Sequence, residues 1–511
     1  WPDADPHGDG MRAGILSASI WSRMPLLQAL VQYSEWGGGV GLSCYAFAAI
    51  AAFMLALARR LNAGRCILVA WSSAGWVELV LTLNWLFTHP KGYDGTCEPL
   101  EAPTLRRLRA LAWLARVQGF DWQRWFGTDT FPRAAISRHN ISLYSHGVNN
   151  AVAVKWGAVW SAVFGSASTS ASSARAWRML RRFHGVASGA FAADEHLAGR
   201  APHRGTELCV VVEAMRSLAE ACRMLPSRPE LADDLERIAF NALPAAVTDD
   251  HWGHQYLTQG NAVFAGIERQ ALAAKSLTPQ AETSASEDEQ PILSQIFGNV
   301  GVDATAYGLA PNFPCCTVNY AQGWPKLLAL GAWLWDDGGT DSGLHELPVL
   351  LSGVFVPSQL AIPASVGGTV DLDTVYPFLP DAPLRYTLRG LHAPLALLVR
   401  VPAWADLSAS EVHGPDGERW SAGDLMRNHG KERAAVLWLE VKRRRCIWEV
   451  RFAAAWRVQH HRPWGSTLVL GPLVFVRPLL HRVHSLPADD SAWAAPGGAT
   501  APELHDEEMM A

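Results

Sequence analysis

The chain has 511 residues, a formal net charge of −5, and a composition that is 49% hydrophobic and 18% charged. This length predicts two or three domains, and the apolar residues are sufficient for a large core. A mildly acidic chain lacks the basic face that nucleic-acid binding requires, so nucleic acid is excluded as a partner. Trp is frequent, at 23 residues. We interpret most of them as core, although Trp also stacks on sugar rings.

The chain begins at Trp1 and shows no charged segment followed by an apolar core, so no signal peptide is visible. We expect the N-terminus to be incomplete. The sequence therefore leaves the compartment unknown, with a soluble cytoplasmic or a soluble secreted protein as the alternatives. The oligomeric state is also unknown.

Apolar residues at spacings of three and four predict helices through most of residues 1–345. The predicted helices span residues 25–34, 105–118, 146–164, 171–183, 206–224, 229–243 and 323–335. Clusters of turn-forming residues separate them, and no strand pattern is visible between them. This arrangement favours a helical bundle or an α/α barrel.

Two apolar stretches, residues 40–58 and 66–87, are each long enough to span a bilayer. The second contains Glu78 and Asn84, which are costly in lipid. We favour helices buried in a soluble barrel over a membrane anchor. The segment from residue 40 to residue 87 is unusually apolar, and whether it packs in the barrel or is aberrant stays open at the level of sequence.

Short runs rich in β-branched residues follow residue 345 and are separated by Gly, Pro and Asp. They predict a β-sandwich with strands at residues 349–356, 359–362, 369–375, 384–388, 395–401, 435–441, 448–452 and 467–475. We therefore place a helical domain at residues 1–345, a β-sandwich at residues 346–484 and a disordered tail at residues 485–511.

The eight cysteines are irregularly spaced in a chain too long to need disulfide staples. We interpret Cys44, Cys66 and Cys222 as core residues. A disulfide between the adjacent Cys315 and Cys316 would be strained, so metal or redox chemistry is the better interpretation of that pair.

The segments GTELC and PCCT together offer one carboxylate and three thiols, from Glu207, Cys209, Cys315 and Cys316. Sulfur and oxygen are both acceptable zinc ligands, so these four residues predict a four-coordinate zinc site. The pattern lacks the paired CxxC spacing of a zinc ribbon and by itself is only moderately specific.

A second carboxylate, Glu195, lies in the segment ADEHL, twelve residues before Glu207. The intervening loop contains Gly and Pro and could bring both acids to one cleft, and paired acids are typical of glycosidases. The alternative is an exposed acidic turn or a helix cap. No phosphate-binding loop, dinucleotide fingerprint, serine-hydrolase elbow or HExxH motif is present.

Two polar clusters are candidates for substrate binding. His146 precedes an apolar helix in YSHGVNN, where polar groups often face a pocket, although a structural histidine is an equal alternative. His254, Gln255 and Tyr256 could bind sugar hydroxyls, and the alternative for them is a surface loop.

The segments SHGVNNAVAVKWGAVW, RFHGVASGAFAADEHLAGRAPHRGTELCVVVEAM, ADDLERIAFNALPAAVTDDHWGHQYL and NFPCCTVNYAQGWPKL resemble one known family. It is the β-L-arabinofuranosidase family, glycoside hydrolase family 127, and the resemblance is to its fungal-type branch. The resemblance spans roughly residues 20–480 and implies an (α/α)6 barrel of six helical hairpins followed by a β-sandwich. The combination of GTELC and PCCT is specific.

The resemblance also implies the chemistry. It implies a zinc ion held by Glu207, Cys209, Cys315 and Cys316, with Cys315 as nucleophile, Glu195 as general acid/base and His146 in the substrate pocket. Burial and nearby negative charge would raise the pKa of Glu195. The expected function is a retaining glycoside hydrolase that removes terminal L-arabinofuranose or a related sugar. The alternative is an inactive relic that binds zinc or carbohydrate.

Overall fold

The computed structural model describes residues 20–36, 39–137, 140–225, 229–261, 304–305, 307–308, 314–336, 347–429 and 434–476. The tail expected at residues 485–511 lies outside these ranges. These residues form a helical N-terminal part and a C-terminal part made mostly of strands.

Several helices of the N-terminal part pack in pairs that are close in sequence. The helices of this part are α1 (Arg23–Trp36), α2 (Val40–Asn62), α3 (Ala70–Ala74), α4 (Trp76–Thr88), α5 (Ala102–Gln118), α6 (Trp122–Trp125), α7 (Gly147–Ala153), α8 (Trp156–Phe164), α9 (Ala167–His184), α10 (Leu208–Met224), α11 (Pro229–Asn241), α12 (Pro314–Tyr320) and α13 (Gly323–Leu327). Helix α1 packs on α2, α4 on α5, α8 on α9, and α10 on α11. Such pairs are expected in a barrel of helical hairpins.

Helix α10 is the centre of this part. Every residue from Leu208 to Cys222 is buried, and the helix contacts α7, α8, α11 and α12. A helix that is enclosed on all sides needs apolar residues around its whole circumference, which explains the run LCVVV at its start. Side chains at the N-terminus of α10 therefore lie deep inside the helical part.

The two apolar stretches pack against other helices of this part, α2 with one face and α4 around its whole circumference. Helix α2 has the length and composition of a membrane span over Gly41–Asn62, but 44% of its apolar window is buried against other helices, including α1 and α5. Helix α4 is buried from Trp76 to Leu86. Its Glu78 forms buried ion pairs with Lys155 at 2.5 Å and Arg216 at 2.7 Å. These cations explain how α4 accommodates a carboxylate.

Cys44 on α2 forms a disulfide with Cys97 in the loop before α5. The interpretation of Cys44 as an ordinary core residue was wrong, because irregular spacing gives no indication of which distant cysteines meet. Cys222 is buried as expected, and Cys66 is half-buried against the same core.

A small sheet lies among the helices and was not expected from the sequence. Its strands are β1 (Ala193–Asp194), β2 (His196–Leu197), β3 (Gly205–Glu207) and β4 (Leu257–Gln259), in the order β2-β1-β3-β4. β1 is antiparallel to β2 and parallel to β3, and β3 is antiparallel to β4. Strands of two or three residues are too short to show an alternating pattern.

The C-terminal part contains two sheets that enclose a core. Its strands are β5 (Trp333–Asp336), β6 (Val349–Ser352), β7 (Ser358–Ala361), β8 (Thr369–Asp373), β9 (Leu384–Arg389), β10 (Leu395–Arg400), β11 (Ala405–His413), β12 (Arg419–Ser421), β13 (Met426–His429), β14 (Ala434–Val441), β15 (Arg445–Ala454), β16 (Arg457–His460), β17 (Ser466–Leu470) and β18 (Leu473–Phe475), with a short helix α14 (Ala422–Leu425). The sheet orders are β13-β14-β10-β6-β5 and β12-β11-β15-β9-β8-β7.

Apolar side chains of both sheets form one cluster, as in a β-sandwich, and a third sheet, β16-β17-β18, follows. The helix predicted at residues 323–335 was wrong in its last part, because Trp333–Asp336 pairs with β6 as a strand. The prediction of a helical barrel followed by a β-rich part is confirmed as a fold class. The domain boundaries at residues 345 and 484 stay predictions.

Candidate metal and catalytic site

Glu207 and Cys209 lie where β3 runs directly into α10. Glu207 pairs with Leu257 in the small sheet and occupies the N-cap position of α10 with an extended backbone. The Leu208 amide donates to the carbonyl oxygen of Tyr256 at 3.0 Å. Since the chain changes from strand to helix at this point, a carboxylate and a thiol two residues apart reach the same place.

The cysteine pair lies on α12, which packs against α10. Cys316 is fully buried, and its Sγ lies 3.5 Å from the Sγ of Cys209 and 3.9 Å from that of Cys315. Cys315 is exposed. The ligand atoms of Glu207 and the three cysteines all lie within 4.8 Å of one another. The structure thus brings together the four residues predicted to bind zinc.

The donor set fits a metal ion. Three sulfurs and one carboxylate oxygen are a set that zinc accepts in four-coordinate sites. Glu207 Oε2 is buried and has no hydrogen-bond partner among the described residues. Burial, and then the charges of Glu195 and Cys315, raise the pKa of Glu207 well above its usual value. A cation at this point would partner the Glu207 oxygen that has no hydrogen bond from the described protein groups.

The thiols interact strongly with one another. Hydrogen bonds with Cys209 and then Cys316 lower the pKa of Cys315 to about 3, while the bond with Cys315 raises the pKa of Cys209. The exposed sulfur is therefore the one that most readily carries the negative charge. A thiolate, not a thiol, is the nucleophile and metal ligand.

Glu195 lies at the apex of the tight turn between β1 and β2. Its φ of 76° is in the left-handed region, which a residue other than Gly adopts only at a cost. Its carbonyl oxygen accepts from the Gly147 amide at 2.9 Å. At Gly147 there is no space for a side chain, because a Cβ would lie 2.4 Å from that of Ala193. Gly147, which follows His146 at the start of α7, thus allows this helix to pack closely on the turn that carries Glu195.

The Glu195 carboxylate is held at both oxygens. Oε1 lies 2.9 Å from His146 Nε2, and Oε2 accepts from the Tyr256 hydroxyl. The side chain of Glu195 is 31% exposed and that of His146 is 9% exposed. His146, Glu195 and Glu207 offer ligand atoms within 4.8 Å of one another. Glu207 belongs to both groups, so the acid pair and the thiols form one continuous site.

The pKa of Glu195 is lowered and not raised as expected. Burial raises it, but the hydrogen bond and charge of His146, and then the bond from Tyr256, outweigh burial. The sequence expectation was wrong because it considered the acidic neighbours and not the two donors.

His254 lies beside the cysteine pair. It is buried, and its Nε2 lies 2.8 Å from Thr317 Oγ1, directly after Cys316 in the chain. Of the three residues predicted to bind substrate, His146 and Tyr256 thus contact Glu195, whereas His254 contacts the segment that carries the thiols.

Two further aromatic residues lie at the site and were not predicted. The Trp71 ring meets the His146 ring edge-on, with centroids 5.2 Å apart. The His196 ring lies on His146 as well, with centroids 5.8 Å apart. His196 follows Glu195 directly in the sequence, so this adjacency could have identified it as a residue near the site. Trp71 lies in the unusually apolar segment between residues 40 and 87, and nothing in the neighbouring sequence distinguishes it from the core tryptophans.

No protein-family model matches the sequence, and no curated protein matches it. The fold does match solved structures. One, described as a glycoside hydrolase, aligns with a TM-score of 0.53 and 13% identity over 88% of this chain and 68% of its own. Another, a GH127 β-L-arabinofuranosidase from Geobacillus stearothermophilus T6, aligns with a TM-score of 0.51 and 13% identity over 92% of this chain and 78% of its own. The chain shares the fold of these proteins.

Proposed function

We propose that the chain is a retaining glycoside hydrolase of the family 127 type that removes terminal L-arabinofuranose or a related sugar. The observation that supports it is the continuity of the site, in which Glu207 joins the cysteine cluster to the pair formed by Glu195 and His146. The shared fold with an arabinofuranosidase supports the same proposal.

Glu207, Cys209, Cys315 and Cys316 would hold the metal ion, which we propose to be zinc. Bound zinc would keep its cysteine ligands deprotonated and fix the orientation of their sulfurs. Cys315 is the exposed member of the four and the one that a sugar can reach.

In the first step, an electron pair of the Cys315 sulfur forms a bond to the anomeric carbon. The bond from that carbon to the leaving oxygen breaks, and Glu195 donates its proton to that oxygen. In the second step, water attacks the same carbon, Glu195 accepts a proton from it, and the carbon–sulfur bond breaks with its electrons returning to sulfur. Two inversions give net retention of configuration.

His146 and Tyr256 position Glu195 for both steps, because each binds one of its oxygens. The lowered pKa of Glu195 suits the base role in the second step. A sugar that fills the cleft would exclude water from Glu195, and this added burial raises the pKa of a carboxyl group toward what the acid role needs. His146, His254 and Tyr256 are the residues we propose to lie near the bound sugar.

The test measures zinc per chain, hydrolysis of an aryl β-L-arabinofuranoside, and labelling by a mechanism-based arabinofuranosyl inhibitor. We expect about one zinc per chain, as in single structural zinc sites. We expect an adduct mapped by mass spectrometry to Cys315, loss of turnover in Cys315→Ala and Glu195→Gln, and loss of zinc in Cys316→Ala. Cys222→Ala is the control, since it removes a thiol from the same helical part outside the cluster. Zinc-loaded protein with full turnover in Cys315→Ala would refute the proposed nucleophile.

The alternative is a relic that binds zinc or carbohydrate without turnover. It is favoured by one observation, that both oxygens of Glu195 are engaged and its pKa is lowered, which makes it a poor proton donor before substrate binds. Full zinc occupancy without adduct or turnover on any arabinofuranoside would support this alternative.

A further inference from the structure

A basic cleft lies between α9 and the third sheet of the C-terminal part. Its volume is about 500 Å³, and its lining includes Arg175, Arg178, Arg181, Arg182 and Arg200. His460 and His461, at the end of β16, form part of the opposite wall. The volume is within the range of small-molecule sites.

The arginines of α9 are spaced so that their charges reinforce one another. Arg175, Arg178 and Arg182 lie at positions i, i+3 and i+7 of the helix and are exposed. Like charges three or four residues apart destabilise a helix by a few tenths of a kcal/mol per pair. The chain as a whole has a net charge of −5, so this concentration of positive charge is a local feature.

Acidic side chains do not neutralise the cleft. Within the described residues, none of Arg175, Arg178, Arg182 and Arg200 forms an ion pair, while Arg181 donates to the carbonyl oxygens of Val186 and Ala190. Asp234 is the acid whose charge reaches Arg181, and it accepts a hydrogen bond from Trp177 Nε1 at 2.8 Å.

The surroundings of the cleft show the same excess of positive charge. Arg237 binds Gln459 of the lining, and burial together with the charge of Arg181 lowers the pKa of Arg237 to about 10. Burial, and then the charges of Arg237, Arg200 and Arg181, lower the pKa of His461. Several cations therefore converge on one small volume.

We propose that this cleft is a binding site for the oxyanion group, a carboxylate, sulfate or phosphate, of a small ligand. The planar guanidinium group matches such oxyanions with two parallel hydrogen bonds, and these charge-assisted bonds are stronger than neutral ones. The proposal is independent of the hydrolase activity, because none of its lining residues belongs to the groups around Glu195 and Glu207.

The oxyanion could come from two sources, an acidic saccharide or a free inorganic anion. Arg200 lies in the segment between β2 and β3, which joins the turn of Glu195 to Glu207. A ligand held by Arg200 would therefore contact the segment that connects the two halves of the candidate active site.

Calorimetric titration of the full chain tests the proposal with three ligands: inorganic phosphate, trigalacturonate and the neutral maltotriose. The variant is Arg175→Gln/Arg178→Gln, whose side chains are exposed, so the fold should be retained. The control is Arg106→Gln/Arg107→Gln, two exposed arginines on α5 with the same change in net charge.

We expect binding of at least one anion and no binding of maltotriose. The Kd should rise about tenfold or more in the cleft variant and stay unchanged in the control. Tighter binding of trigalacturonate than phosphate would identify the source as an acidic saccharide, and the reverse order would identify a free anion. The absence of binding by both anions, or an equal loss in the control, would overturn the proposal.

Discussion

Two glutamates, Glu207 and Glu236, are almost fully removed from solvent, and their surroundings differ completely. Glu236 on α11 meets Arg400 Nη2 of β10 at 2.7 Å, the Phe355 amide at 2.7 Å and the Tyr376 hydroxyl at 2.5 Å. Glu207 has an oxygen with no hydrogen-bond partner among the described residues, and its charged neighbours, Glu195 and Cys315, are acidic.

The two glutamates differ in what compensates the charge of their carboxylates. At Glu236 the C-terminal part supplies the cation, so the carboxylate fixes the junction between the helical and β-rich parts. At Glu207 the described protein groups supply no cation, and a buried charge without a partner is costly unless a metal provides one. Two carboxylates of similar burial thus differ in their partners: Glu236 pairs with a cation of a β-strand, and Glu207, as we propose, binds a metal ion.

Arg400→Met should have the largest effect on stability. The change leaves the buried Glu236 and the partly exposed Asp233 without their cation, and breaking a buried pair such as Arg400–Glu236 costs about 3–5 kcal/mol. Urea denaturation followed by far-UV circular dichroism measures it.

The control for Arg400→Met is Arg385→Met, which removes a pair with Glu449 in which the arginine is 51% exposed. An exposed pair contributes about 1 kcal/mol or less. Equal effects of the two substitutions would contradict the role assigned to the buried network at the junction.

Glu207→Gln and Glu236→Gln should have opposite effects on zinc affinity and on stability. Removal of the ligand charge in Glu207→Gln should weaken zinc about a hundredfold, or about 3 kcal/mol, because a ligand matters at least as much as the groups that orient it. Glu236→Gln should keep its zinc and lose stability. Competition with a fluorescent chelator measures the zinc affinity, and normal zinc affinity in Glu207→Gln would refute the proposed ligand set.

His184 extends the comparison to a buried group that is satisfied in its neutral form. Its Nε2 donates to the Pro132 carbonyl oxygen, and its Nδ1 accepts from the Gly199 amide, each at 2.9 Å. Burial lowers its pKa from 6.5 to about 4. A lowered folded-state pKa gives stability that is complete above the unfolded value and is lost as the pH falls from 6.5 through about 4.

The measurable consequence is a pH dependence of unfolding. The wild type should lose about 2 kcal/mol more than His184→Gln between about pH 7 and about pH 5, since one pKa unit corresponds to about 1.4 kcal/mol. Urea denaturation at both pH values measures the difference between the two proteins. Parallel pH profiles would mean that His184 is not held in the neutral form.

The sequence predicted which candidate residues lie close together better than it predicted their electrostatics. Glu207, Cys209 and the cysteine pair were identifiable because GTELC and PCCT offer acceptable zinc ligands and resemble a known family, and the four side chains do converge. The pKa of Glu195 was predicted in the wrong direction, because it depends on the placement of His146 and Tyr256 in space and not on their presence in the chain.

The limits on the fold prediction have a related cause. Long helices and strands have a periodicity that can be recognised, as in α10 and β10. The short strands β1 to β4 do not, although they place Glu195 and Glu207 side by side. The strand at Trp333–Asp336 was assigned to a helix because an apolar run without alternation is compatible with both.

The disulfide between Cys44 and Cys97 sets a practical condition for handling this protein. The same helical part holds this oxidised pair and the three free thiols of Cys209, Cys315 and Cys316. A strong thiol reductant that protects the cluster would also open the link between α2 and the loop before α5. Purification without reductant would keep that link but expose the cluster to oxidation. With the metal site that we propose, metal loading early in purification would preserve both states, because a coordinated thiolate is shielded while the disulfide stays closed.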